Sequence, residues 1–185
     1  MSVMQPRLLT YEDYAALPDD GRRYQVLDGE LDVTPAPTTL HQKVSMRLSH
    51  LLFEHAEAGD LGLVLAAPVD VVLGRHVIVQ PDLVYVSKPR LSIVTPKFIL
   101  GAPDLAIEIL SPGTKRKDRR KKSRIYARES VPWYWIADPD ERTIDEWELD
   151  SDRDAYSLRS HADDASFSPA LFPGLAIDIA RLFRP

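Results

Sequence analysis

Residues 105–137 read LAIEILSPGTKRKDRRKKSRIYARESVPWYWIA, and this stretch decides the fold class. Leu105–Leu110 is a short aliphatic run bounded by Asp104 and Ser-Pro, which predicts a buried strand. Asp118–Arg128 predicts a helix, with Asp118, Lys122 and Tyr126 spaced i, i+4, i+8 along one face. Val131–Ala137 predicts a second buried strand.

Upstream, Gly62–Leu73 and Val77–Val86 are apolar, β-branched and bounded by Gly, Pro or charge, so both read as strands. From His41 to about Ala58, the apolar residues Val44, Leu48, Leu51 and Leu52 recur at helical spacing, with closure near Gly59. Arg23–Val33 alternates around Asp28-Gly29, a two-residue hairpin signal, and ends in the PAPTT loop. Thr10–Leu17 predicts a short first helix, Thr10 capping it with Asp13 three residues on. Downstream, Thr143–Leu149 and Ala155–Arg159 form a hairpin, and Ile177–Phe183 a terminal helix. The order implies an α/β (α+β) fold: a mixed β-sheet flanked by helices, with an N-terminal helix and hairpin. Without repeats, low-complexity segments or a long linker, residues 1–185 read as one domain.

The composition, 44% hydrophobic and 28% charged, is that of a water-soluble globular chain. No apolar run approaches the about 18 residues of a membrane span, and the first residues do not resemble an export signal, so a cytoplasmic protein is expected. Absence of cysteine excludes disulfides, thiolate zinc sites and cysteine nucleophiles. The net charge of −5 argues against a uniformly basic nucleic-acid coat. It conceals KRKDRRKKSR at 115–124, a basic patch able to face phosphates: Lys115, Arg116, Lys117, Arg119, Arg120 and Lys121.

Two carboxylates stand where apolar residues are expected. Asp82 follows Pro81 at the start of the apolar LVYV, and Glu108 shares a strand face with Ala106 and Leu110. A buried carboxylate is costly unless it is paired, protonated or bound to a cation. Alone, Glu108 reads as half of an ion pair, Asp82 as a residue tying up backbone N–H groups, and Lys122 as part of a solvated helix face. Together they describe two hard oxygen ligands for Mg²⁺ or Mn²⁺ with an ammonium alongside. Asp104 is a rival partner for Glu108. Four residues along a strand span about 13 Å, too far to share one ion, so Asp82 is preferred.

These residues resemble the Uma-two family of restriction-endonuclease-like proteins. The resemblance runs from about Tyr11 to the C-terminus. Its most specific block is PDL at 81–83 with the E-x-L-SP-x-T, D-x-x-x-K-x-x-x-Y and V-P-x-Y-W elements across 108–135. It implies the PD-(D/E)xK nuclease fold, with Asp82 and Glu108 as the motif acids. The lysine usually two residues after the second acid is absent here, where Leu110 stands, and the resemblance implies Lys122 instead. The family also has an acid after the tyrosine of its first strand; here Gln25 follows Tyr24 and can offer a carbonyl oxygen, while Glu30 is retained.

His41 matches the family pattern and reads either as a phosphate or proton-transfer group or as a residue bonded to the PAPTT loop. Ser111 and Thr114 read as turn and N-cap formers. Tyr126 is expected beside Lys122, and Trp133, Tyr134 and Trp135 in the core and at a dimer surface. The expected function is a Mg²⁺-dependent (or Mn²⁺-dependent) endonuclease acting on DNA, as a homodimer away from membranes. The alternatives are a catalytically inactive nucleic-acid-binding protein or a dimeric regulatory protein of the same fold.

Overall fold

The computed structural model describes residues 7–113, 115–150, 152, 154–163 and 166–184; the side chain of Arg116 is also outside the description. Thr114, assigned a capping role above, therefore lies outside the described residues. A short helix α1 (Tyr11–Ala15) opens the chain, with Thr10 and Asp13 forming the reciprocal capping box. β1 (Arg23–Leu27) and β2 (Glu30–Thr34) form the expected hairpin. Asp28 and Gly29 both have positive φ, 59° and 81°, as a two-residue turn of matching twist demands. α2 (Thr39–Ala58) follows, capped by the Thr38 hydroxyl. Then come β3 (Gly62–Ala66), β4 (Val71–Gly74), β5 (Val77–Val79) and β6 (Leu83–Ser87). A 3₁₀ turn (Lys88–Ile93) and β7 (Ile99–Leu100) precede β8 (Leu105–Ile109).

The next helix begins as α3 (Lys115–Lys117), widens into a π-helical turn (Asp118–Lys122) and resumes as α4 (Ser123–Arg128). β9 (Trp133–Asp138), β10 (Thr143–Asp150), β11 (Ala155–Ala162), β12 (Ser166–Phe167), β13 (Ile177–Asp178) and α5 (Ile179–Leu182) complete the chain. The α+β class is as expected, but the strands divide into two main sheets. One is ordered β2-β1-β5-β4-β7 and the other β11-β10-β9-β8-β6-β3. Each is mixed, with one parallel pair: β4 with β7, and β8 with β9.

Strand alternation sorts the six-stranded sheet between two cores. Leu83, Tyr85, Leu105, Ile107, Ile109 and Trp135 pack on Val44, Leu48 and Leu52 of α2 and on the C-terminal segment. Val84, Val86, Ala106, Tyr134 and Ile136 face Ile125 and Tyr126 of α4 and Val71, Val77 and Val79 of the other sheet. Asp82 and Glu108 have the parity of this second face.

Three expectations need correction. Val77–Val86 is not one strand: Gln80-Pro81 interrupts it, proline having no N–H for a ladder, and the chain passes from one sheet to the other. Gly62–Leu73 likewise divides around Pro68. Ile177–Phe183 spends its first two residues pairing with β12 before becoming helical. The aromatic cluster is in the core as expected: β9 lies between β8 and β10, and Tyr134 and Trp135 are fully buried. Among the described residues no helix is long and apolar enough to cross a membrane.

Candidate active site

The passage between sheets positions Asp82. Its backbone N–H donates to the Ile107 carbonyl (3.0 Å), and its carbonyl accepts from the Ala67 N–H (2.9 Å), so the ladder of β6 continues through it. β6 and β8 pair antiparallel with Leu83 opposite Ile107. One step back along this register sets Asp82 opposite Glu108. Facing residues in an antiparallel pair have Cβ atoms about 5 Å apart on the same face, so the two carboxylates are cross-strand neighbours. Both line one cleft with Arg23, Gln25, His41 and Lys122.

Asp82 is 5% exposed and carries three contacts. Its Oδ2 accepts from the Ile109 N–H (2.8 Å) and lies 3.1 Å from His41 Nε2, while Oδ1 accepts from Arg23 at 3.3 Å. Burial pushes this carboxyl upward, but the His41 ring and the Ile109 N–H outweigh it and hold it below the usual range. Glu108, 3% exposed, has the opposite balance. Its Oε1 accepts from both Lys122 Nζ (2.7 Å) and the Tyr126 hydroxyl (2.6 Å). Desolvation, with Asp118 and Asp82 nearby, still pushes it up to about 7 against the pull of Lys122. Glu108 Oε2 takes no hydrogen bond from the described residues.

Lys122 is as buried as its partner. Burial works against its charge, but Glu108, Asp118 and Asp82 outweigh that and raise it, so the ammonium stays protonated. Asp118 Oδ1 stands 3.5 Å from Lys122 Nζ and is buried with no hydrogen bond. Asp118 and Lys122 both lie in the π-turn. A π-turn disturbs the i→i+4 ladder, and the Tyr134 hydroxyl donates to the Asp118 carbonyl (3.0 Å). Three buried carboxylates thus surround one buried ammonium, with the Arg23 guanidinium at the rim.

His41 is bonded to the PAPTT loop, as one of its two readings expected, and its ring also enters the cleft. Its N–H donates to Thr38 Oγ1 (3.2 Å) in the preceding loop while its ring reaches Asp82. Its Nδ1 is buried without a hydrogen bond. Gln25 is buried in the cleft wall with both ends used: Oε1 accepts from the Gln80 N–H (2.9 Å) and Nε2 donates to Thr34 Oγ1 (2.9 Å). Glu30 does not reach the cleft; it is exposed and pairs with Lys121 (2.8 Å). Asp104 caps the Ser87 N–H (2.7 Å) and pairs with Arg90, away from this constellation.

The basic run is largely consumed by the protein's own acids. Lys115 and Arg119 turn to Asp138, with Arg119 also bound to Asp145. Lys117 pairs with Asp32 and Lys121 with Glu30. Arg120 is exposed and has no ion pair among the described residues. The sequence reading missed Arg23, whose guanidinium also grips Gln80 through its carbonyl (2.9 Å) and Oε1 (3.3 Å). Its place two residues before Gln25, on the same strand face, was the available signal. Among the described residues, no three His, Asp or Glu side chains already stand as a set of metal ligands.

Comparison with known proteins adds three findings. The family model Uma2, described as "Putative restriction endonuclease", matches residues 11–180. An uncharacterized protein of Synechocystis sp., slr1290, is 26% identical over 173 residues, covering 92% of this chain and 90% of its own. The crystal structure of a "putative nuclease belonging to DUF820" from Anabaena variabilis superposes with a TM-score of 0.78 at 20% identity, covering 95% of this chain and 97% of that one. The fold is therefore restriction-endonuclease-like.

Proposed function

The chain belongs to the Uma2 family, and from that premise we propose that it hydrolyses phosphodiester bonds in DNA with Mg²⁺ or Mn²⁺ held by Asp82 and Glu108. The observation that carries this reading is the buried carboxylate pair on neighbouring strands, with no hydrogen bond to Glu108 Oε2 from the described residues and its carboxyl pushed up to about 7. A cation would relieve that energetic cost. Two carboxylates, completed by water and substrate phosphate oxygens, are a donor set that suits Mg²⁺ without a third protein ligand. An ion held by Asp82 and Glu108 would supply water activation and charge neutralisation at a phosphoryl oxygen.

The chain's own groups do the rest. Tyr126 and Lys122 converge on Glu108 Oε1 and leave Oε2 for the cleft. The Ile109 N–H and His41 hold Asp82 at Oδ2, and Arg23 reaches Oδ1. Lys122, kept charged by its three carboxylates, stabilises negative charge as it builds on the phosphoryl group. Arg23 is a fork-shaped donor anchored on Gln80, suited to a non-bridging phosphate oxygen.

Nicking of supercoiled DNA in Mg²⁺ or Mn²⁺ tests the proposal. Asp82→Ala and Lys122→Ala should each abolish it, and cleavage undiminished by both would remove the assignment. Gln25 favours a second reading, a non-cutting nucleic-acid binder, since its carbonyl oxygen is already engaged by Gln80. That reading expects salt-sensitive DNA retention without divalent-dependent cleavage.

A further inference from the structure

We propose that the DNA backbone leaves the cleft along a trough on the outer face of the π-to-α helix, with Arg120 and Arg124 as its two free phosphate contacts. This rests on the reading of the cleft as a DNA-cleaving site. The trough is lined by Lys117, Arg120, Lys121, Arg124 and Arg128, with Asp28 on its far wall. Lys117 lines the cleft as well, so the two hollows adjoin across one side chain.

Three of the five cations are already matched. Lys117 pairs with Asp32 (2.7 Å), Lys121 with Glu30 (2.8 Å) and Arg128 with Asp28 (2.6 Å). The three acids occupy alternate positions of the β1–β2 hairpin and form a ladder against the helix. That ladder fastens the hairpin, which carries Arg23 and Gln25, to the helix that carries Lys122. It also removes those cations from the pool that can neutralise phosphate. Lys115 and Arg119 point to Asp138 and are equally occupied.

Arg120 and Arg124 are different: both are exposed and neither has an ion pair among the described residues. Four residues apart, they lie on one helix face about 6 Å apart along its axis, within one or two nucleotide steps of about 3.4 Å. Each guanidinium can bind a phosphate through two N–H groups. The sequence run of eight basic residues would suggest a steep salt dependence. The two free contacts among the described residues give a shallow one, a log–log slope between about −1.4 for a single strand and about −1.8 for a duplex.

Fluorescence anisotropy of labelled single-stranded and duplex oligonucleotides in EDTA, across a salt series, tests this without cleavage. The wild type should bind with a slope of about −1.4 on the single strand and about −1.8 on the duplex. R120Q/R124Q should weaken binding at low salt by about tenfold or more and flatten the slope, with unchanged thermal unfolding because neither side chain has an ion pair among the described residues. K97Q/R159Q, which removes two exposed charges elsewhere, should bind within about twofold of wild type. Wild type that fails to bind, a slope of about −6 or steeper, or R120Q/R124Q binding like wild type would overturn the trough. So would an equal loss in K97Q/R159Q. The two proposals fail separately: loss of binding in R120Q/R124Q with no cleavage by wild type removes only the nuclease reading. Wild-type cleavage with R120Q/R124Q binding unchanged removes only the trough.

Discussion

Replacing Lys122 by Met keeps the length of the side chain and removes the one ammonium buried among three carboxylates. In the wild type burial pushes the Glu108 carboxyl up to about 7, against 4.5 for an unperturbed glutamate. Because the folded value is raised, the folded protein holds a proton that the unfolded chain has released. Stability from this group is complete below about 4.5 and falls by about 1.4 kcal/mol per pH unit up to about 7, about 3 kcal/mol altogether. Lys122 opposes that rise, so its removal moves Glu108 higher still and extends the decline past pH 7. At pH 8.5 this adds about 2 kcal/mol to the roughly 1.5–3 kcal/mol of a lost charged hydrogen bond. The total, about 3–5 kcal/mol, is that of breaking a buried pair. At pH 5.5 Glu108 is protonated in both proteins and the added part vanishes; Asp118, left without its ammonium, contributes at both pH values. Urea unfolding of wild type and Lys122→Met at pH 5.5 and 8.5 measures the difference directly. A penalty equal at the two pH values, or under about 1 kcal/mol at pH 8.5, would refute the reasoning.

Other expectations follow from the same contacts. Tyr126→Phe deletes the hydroxyl that donates to Glu108 at 2.6 Å, and denaturant unfolding should register a loss of about 1.5–3 kcal/mol. Divalent affinity should strengthen about tenfold per pH unit below about 7 and level off above it, since the Glu108 proton must leave first; titrations at several pH values would detect this. Tyr134→Phe leaves the Asp118 carbonyl without its donor, so cleavage should fall with little change in DNA affinity, a split read by comparing turnover with anisotropy. Leu48→Ala opens a fully buried position between α2 and the sheet and should cost about 2–5 kcal/mol in thermal or urea unfolding, without altering metal affinity in the protein that remains folded.

The carboxylates at 82 and 108 were legible because an acid in an apolar strand is conspicuous on energetic grounds alone. The hairpin was legible through Asp28-Gly29, since few other pairs accept two positive φ angles. Asp118, Lys122 and Tyr126 were legible as a helix face, and that face does meet Glu108. Other features depend on partners distant in sequence. The break at Pro81 is visible, but which sheet receives the next strand is decided by Ile107 across the ladder. The π-turn carbonyl of Asp118 accepts from the Tyr134 hydroxyl, 16 residues away in sequence. The basic run looks free in one dimension and becomes occupied only when the β1–β2 hairpin and Asp138 fold against it.

The most direct test is calorimetric titration of wild type and Asp82→Asn with Mg²⁺ and Mn²⁺ at pH 8, where Glu108 is largely ionised. We expect the wild type to bind a divalent ion and Asp82→Asn to bind it at least about tenfold more weakly, with the fold intact by circular dichroism. Wild type that takes up no divalent ion, or Asp82→Asn that binds it equally well, would contradict the assignment of Asp82 and Glu108 as the metal-holding pair.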